Sequence, residues 1–397
     1  MIKTYGEILD KVNNYDPSNY HSTRNYINGA VTAWSPYISR GLLSPLLVMD
    51  QLRAKYTKQA WMGFMQQMAW REYFQRVWQQ KGDMILQDLK SQQFEVLLKQ
   101  VPLPIANAST GIPVIDASIE GLYENGYLHN HLRMYLAMLS TNIFKAAWLP
   151  GAKWMYAHLL DHDPAANFLS WQWVAGTFSS KKYVANQENI NKYTNTKAFN
   201  TFLDTEYENL PYVLYDEAGQ LKPKYKAAWE QPLDQAFEIN TLQILEKLKQ
   251  HNGYMHFDEN TFDASLPFCI YNSFNLDPLW HAAEKVNRIL LLEPIHFAQF
   301  PVTENVLQFI VGLGQINIPN LQIFIGNFDT LLEQITLARM TDKVKSVSNS
   351  PAIYYKEHPT TLHYKGIQEQ RDWLFPQVTG YYPSFFGYWK KCQAFIH

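Results

Sequence analysis

The sequence predicts an α+β multidomain chain: an all-helical domain over residues 1–200, a connection over 201–261, and a smaller α/β domain over 262–397. Three observations carry this expectation. A length of 397 residues suits about two domains. Strand-like alternation is nearly absent before residue 200, where apolar residues recur at helical spacing. Beyond residue 261, short apolar runs bounded by turn residues alternate with helical segments, the pattern of parallel strands joined by crossovers.

The helices follow in order. From Ser44 the run SPLLVMDQLRAKY has a serine cap and Pro45 at the first helical position. Gln59 to Gln80 is too aromatic to keep a wholly wet face. Pro113–Tyr123, His129–Ala147 and Ala152–Leu160 come next, then Pro164–Val174, opened by Asp163 as N-cap. The connection is polar and broken by proline, with LKPKYK and one amphipathic segment, Asn240–Gln250. After it, strands are expected at Leu266–Tyr271, Arg288–Leu292 and Leu321–Ile325, and helices at Pro278–Lys285, Thr303–Leu313 and Thr330–Arg339.

Composition excludes several classes. Apolar residues make up 47% and aromatic ones 15%, which rules out general disorder. With 34 basic against 36 acidic residues the net charge is −2, so a nucleic-acid partner would need a local patch. Two cysteines, Cys269 and Cys392, cannot build a disulfide framework, a four-thiolate zinc site or an all-cysteine iron–sulfur cluster. A reducing, cytoplasmic compartment fits. Met1–Lys11 lacks the apolar core of a signal peptide, and no apolar run reaches membrane-spanning length, so no membrane partner is expected.

Four constellations in the helical half bear chemistry. Thr32-Ala33-Trp34-Ser35-Pro36-Tyr37 is a hydroxyl-rich turn into a helix start, suited to a phosphate or to plain capping. Trp70-Arg71-Glu72, with Gln67 one turn earlier, offers an arginine that forks onto a phosphate or bridges a carboxylate. In Tyr127-Leu128-His129-Asn130-His131-Leu132-Arg133-Met134 the histidines face different sides of a helix, which disfavours metal ligation, while a buried Arg133 needs a partner. In Asp161-His162-Asp163-Pro164 the carboxylates could bind magnesium, cap the helix or accept from a planar heterocycle. No metal-binding residue is assigned.

Taken in order, AWSPYIS, WREYF, GIPVIDASIEGLYENGYLHNHLRM, LLDHDPAANFLSWQW and KKYVANQENINKYT resemble the flavin-binding domain of the photolyase and cryptochrome family, over roughly residues 15 to 195. The resemblance implies an all-helical domain that holds FAD in a bent form facing a cavity open to DNA. It implies that Thr32 and Ser35 contact the FAD phosphates, that Arg71 is the cofactor-binding arginine of the WRE motif, and that Arg133 and Asp161 form the salt-bridged pair beside the flavin. Asp163 then contacts the cofactor and Asn167 faces flavin N5, where an amide donates without supplying an acidic proton. Trp171 and Trp148 match the two inner members of an electron-carrying tryptophan chain. The third position, near Phe94 or Glu95, holds no tryptophan, so Trp154 or a tyrosine substitutes or photoreduction is weakened. Asn130 and Gln67 fall on the substrate side, and Trp70, Tyr127, Met134 and Trp173 are expected to contact substrate.

The departures bear on activity. Gln67 stands where dimer-repairing members carry a catalytic glutamate, and an amide cannot act as an acid. Asn130 and Met134 replace the histidines of six-four repair. YVANQENINKY is similar to the iron–sulfur bacterial branch, yet with two cysteines the cluster is expected to be absent. LPFCIYNSFNLDPLWHAAEKVNRILLLEPIHF is similar to the opening of the family's Rossmann-like antenna domain, placed C-terminally here, and leaves room for a second, antenna chromophore; an unrelated α/β appendage is the alternative. The resemblance implies a blue-light-driven flavoprotein, first a DNA photolyase acting on DNA that contains UV photoproducts. The alternative is a cryptochrome-like photoreceptor without repair. A magnesium-dependent enzyme using Asp161 and Asp163 on a diphosphate is the third reading.

Overall fold

Two units make up the computed structural model, which describes residues 2–229, 239–251, 253–258, 262–263, 265–341 and 352–396. Neither unit is continuous in sequence. One takes Met1–Tyr15, Ala33–Lys55 and Ile239–Val378; the other takes Asp16–Thr32, Tyr56–Glu238 and Thr379–His397. The linear division at residues 200 and 261 therefore differs from the observed partition at both ends of the chain.

The second unit is helical. Its longest helix, Lys58–Lys81, buries Trp61, Phe64, Met65, Tyr73, Phe74, Val77 and Trp78, more apolar surface than one stripe can hold, as its aromatic sequence demands. Pro113–Asn125, Asn130–Met138, Trp148–His158, Pro164–Ala175 and Gln187–Thr194 follow. Pro164–Ala175 starts on the Asp163 cap with proline at its first turn and ends at Gly176 in the left-handed region, φ 83°. The expected single helix His129–Ala147 is broken. A wide π turn runs over Leu139–Ile143, where the Thr141 hydroxyl donates back to the Ala137 carbonyl at 2.7 Å. A last helix, Phe385–Cys392, absent from the sequence expectation, joins this unit because Phe385 stacks on Trp70 and the Tyr388 hydroxyl donates to buried Glu72 at 2.7 Å.

The first unit holds a five-stranded, all-parallel sheet in the order β3-β2-β1-β4-β5, with β1 Phe268–Tyr271, β2 Asn287–Leu292, β3 Leu321–Ile325, β4 Ile353–Lys356 and β5 Ile367–Glu369. The three strands expected from sequence are present. β4 and β5 were not expected, being short and half exposed. Alternate residues of β1 and β2 enter one core with Phe324, Phe328, Leu331 and Tyr355, while Cys269, Tyr271, Leu290 and Leu292 are buried on the opposite face, hence the near-continuous apolar runs. Glu304–Asn317 links β2 to β3, and Phe328–Thr341 follows β3. The helix expected at Pro278–Lys285 is a series of turns instead: the Trp280 indole and the His281 ring both bind Glu369 of β5, at 2.7 and 3.0 Å, and His281 adopts φ 50°. Side-chain bonds to a distant strand override the helical pattern there.

Local pattern does not reveal which core an amphipathic helix joins. Tyr5–Asn13 belongs with the sheet because the Tyr5 amide donates to Asn317 Oδ1 at 2.6 Å and Asn317 returns a bond to the Lys3 carbonyl. Residues 33–55 are tied to the loop after β1, where the Leu276 amide donates to the Arg40 carbonyl at 2.8 Å. Among the described residues no helix is long and apolar enough to cross a membrane.

Gly41 has φ 68°, and a Cβ there would lie 2.6 Å from the Phe274 carbonyl oxygen. Gly41→Ala is expected to destabilise the α/β unit by about 2 kcal/mol, read as a lower urea midpoint with unchanged slope.

Candidate functional site

The cluster that stands out in the helical unit is built on the turn joining Trp148–His158 to Pro164–Ala175. The Leu160 amide donates to the Gly126 carbonyl at 2.8 Å, which fixes the turn and turns Asp161 toward the start of Asn130–Met138. Arg133, one turn into that helix, meets Asp161 Oδ2 at 2.8 Å and donates from Nε to the Leu128 carbonyl at 2.8 Å. The Asp161 side chain is only 3% exposed. Its other oxygen, Oδ1, is buried with no hydrogen-bond partner among the described residues.

Asp163, two residues on, is saturated. Oδ1 caps the following helix by accepting from the Ala166 amide at 2.9 Å, while Oδ2 accepts from Arg71 at 3.3 Å and from the Gln75 side-chain amide. Arg71 and Gln75 are one turn apart on Lys58–Lys81. Gln75 was missed in the sequence, although its spacing from Arg71 was the available signal.

One helix face then carries three groups in line, since Asp163, Asn167 and Trp171 are each four residues apart. The Asn167 amide donates to the Ala152 carbonyl at 2.8 Å. The Trp171 ring lies against Gly151, where a Cβ would come within 2.5 Å of it, and its indole N–H is buried without a partner among the described residues. Trp148 is three residues before Gly151, on the same side of its helix. Its indole N–H donates to Asp88 at 2.6 Å and its backbone amide to Gln93 at 2.9 Å. The other indole considered, Trp154, is fully buried and donates to the Tyr123 hydroxyl at 3.0 Å.

The remaining expected residues are placed as follows. His129 caps Asn130–Met138, its Nδ1 accepting from the His131 amide at 3.1 Å, a polar helix start and not a metal ligand pair. Asn130 is exposed, its amide 3.9 Å from the Met134 sulfur. Arg133 sits 5.9 Å from the Tyr127 ring, and burial pushes the Tyr127 hydroxyl pKa up. Trp173 is 36% exposed, beside Tyr183. Gln67 is half-buried. Trp70 is not an open wall, because Phe385 stacks on it with 3.7 Å between ring centroids. Thr32 falls in the helical unit, and Ser35, which opens the short Ser35–Ser39 helix, in the α/β unit.

Asp161 and Asp163 each face a guanidinium, the opposite of what a divalent cation needs, so the magnesium reading finds no support here. The unpartnered Asp161 oxygen suits an N–H of a planar heterocycle. An acceptor left dry in this way costs about 1–3 kcal/mol unless a donor fills it. The residues present therefore fit a flavin: Asp161 and Asn167 could meet its ring and Arg71 its charge.

Residues 64–208 match the family described as the FAD binding domain of DNA photolyase. Over 169 residues the chain is 27% identical to the deoxyribodipyrimidine photo-lyase of Halobacterium salinarum, covering 40% of this chain and 35% of that protein. It is 28% identical over 169 residues to a chloroplastic/mitochondrial cryptochrome DASH of Solanum lycopersicum, covering 40% and 29%. It is 41% identical over 68 residues to the deoxyribodipyrimidine photo-lyase of Agrobacterium fabrum, covering 17% and 14%. The chain thus spans about a third or less of the length of these relatives. All the site residues above except Thr32, Ser35 and Phe385 lie inside the matched segment.

Arg133→Met is expected to destabilise the helical unit by about 3 kcal/mol in urea, because it strands the buried Asp161 charge, and Asp161→Asn in the same background to recover part of that loss. Burial lowers the pKa of His131 and His158 from 6.5 to about 4. Between those values the unfolded chain binds protons that the folded chain does not, so stability is full above pH 6.5 and falls as the pH drops toward 4. Urea midpoints across that range, compared with His131→Gln and His158→Gln, check this: each substitution flattens the slope.

Proposed function

We propose, from the membership of residues 64–208 in the FAD-binding domain family of DNA photolyase, that this chain binds FAD and uses blue light to drive electron transfer, with pyrimidine dimers in DNA as the substrate. The observation that carries the reading is the buried Asp161 oxygen, without a partner among the described residues, on a side chain held in place by Arg133. Bound FAD supplies the light absorption and one-electron chemistry that no side chain has. The chain's own residues do the rest. Arg133 holds Asp161 in place as an acceptor; Arg71 and Gln75 both donate to Asp163 beside it; Asn167 adds a neutral amide in place of an acid. Trp171 and Trp148 offer a hopping path from that cluster toward the surface.

A dimer would have to leave the duplex stack to reach this site. Asn130, Met134, Tyr127 and Trp173 are the residues we assign to its contact, with Gln67 as a hydrogen-bonding amide. With a net charge of −2, DNA affinity would rest on local lysines and arginines and fall steeply with salt. An antenna chromophore, if bound, belongs in this reading to the α/β unit.

One observation favours the second reading, a cryptochrome-like photoreceptor without repair: Phe385 stacks on Trp70 at 3.7 Å and so closes one face of that ring to a flipped base. Phe385→Ala separates the two.

The purified protein is expected to be yellow and to release FAD on denaturation; a colourless preparation that takes up no FAD overturns the proposal. With the flavin reduced, blue light should restore a dimer-containing oligonucleotide, and Gln67→Ala should lower that rate about tenfold by removing one hydrogen bond in the reacting complex. If neither wild type nor Phe385→Ala repairs while both still photoreduce, the photoreceptor reading stands.

A further inference from the structure

We infer that Asp88 is the proton acceptor that ends the tryptophan path at Trp148, in place of a third indole. The inference rests on the flavin reading above. Trp148 is 3% exposed, yet its indole N–H donates to Asp88 Oδ1 at 2.6 Å, and Asp88 itself is exposed to solvent. The contact is braced from both sides. Asp88 Oδ2 accepts from the Gln93 amide at 2.8 Å; the Gln93 side chain accepts from the Trp148 amide at 2.9 Å and donates to the Ala146 carbonyl at 2.8 Å. The loop Asp88–Gln93 thus holds one carboxylate on one indole nitrogen. Neither other indole considered has this arrangement, since Trp171 Nε1 has no partner among the described residues and Trp154 donates to a tyrosine hydroxyl.

The chemistry follows. With flavin bound, light would move an electron from Trp171 to the excited flavin and another from Trp148 to Trp171, leaving the flavin reduced by one electron and Trp148 an indole radical cation, a far stronger acid than indole. The N–H bond breaks toward Asp88, an O–H bond forms on its carboxylate, and a neutral indolyl radical remains. Asp88 passes the proton to water, and a thiol in solution later returns a hydrogen atom to the radical. Loss of the proton removes the charge that would draw the electron back. A third, exposed tryptophan achieves charge separation by distance; here the neighbourhood of that expected position holds exposed Phe94 and Glu95, the latter paired with Lys182 at 3.5 Å.

Asp88→Asn keeps the shape and an acceptor oxygen but removes the base. In flavin-loaded protein, flash spectroscopy should find the neutral indolyl radical in wild type, formed more slowly in D2O. In Asp88→Asn deprotonation should slow about a hundredfold, leaving a radical cation that recombines sooner. Asp88→Glu should restore the neutral radical, and Phe94→Trp should lengthen charge separation in the Asp88→Asn background. Independently of flavin, the NMR signal of the Trp148 indole N–H should move upfield in Asp88→Asn, because an amide is a weaker acceptor than a carboxylate. An unchanged indole signal, or the same radical and lifetime in wild type and Asp88→Asn, overturns the role of Asp88. A shifted indole signal with no light-driven tryptophan oxidation in loaded wild type overturns the flavin reading, and the proton role with it.

Discussion

Two carboxylates two residues apart, both almost fully buried, set the constraint on which the helical unit depends. Asp161 and Asp163 would repel each other and resist burial without positive partners. The unit supplies Arg133 from one helix and Arg71 from another. Meeting that requirement fixes three helices around a single turn. The Asp163 side chain is at once helix cap, ion-pair partner and acceptor for Gln75, so the orientation of Pro164–Ala175 is set before any ligand is considered.

From that fixed start, helical periodicity carries the arrangement outward. Each four-residue step from Asp163 to Asn167 to Trp171 advances about 6 Å along one face. It passes from a charged cluster to an amide and then to an indole, a gradient of polarity. Gly151 lets the Trp171 ring close on the neighbouring helix, and Trp148 continues the line on that helix. Close packing of the two helices rests on that one small residue.

Much of this was legible in the sequence, for a physical reason. The Asp163, Asn167 and Trp171 ladder and the need of Arg133 for a partner both depend on local spacing and burial. The three longer strands show as apolar runs because a parallel sheet is buried on both faces. What escaped depends on contacts between distant segments. Asp88 meets Trp148 across 60 residues and Glu72 meets Tyr388 across 316. The turn at Pro278–Lys285 is decided by Glu369, 89 residues from Trp280. The aromatic excess likewise told of packing without saying that Trp70 would be stacked by Phe385. Discontinuous units are the extreme case, since an amphipathic helix advertises a buried face and not the core that receives it.

That discontinuity governs how the protein is made. During synthesis the helix Lys58–Lys81 emerges long before Phe385–Cys392, with the sheet-forming segment Ile239–Val378 produced in between. Until residues near 388 are made, the early helices lack the Phe385 stack on Trp70 and the Tyr388 hydrogen bond to Glu72. Contacts of such long sequence separation form slowly, which extends the interval in which apolar surface is open to chaperones or to a second nascent chain.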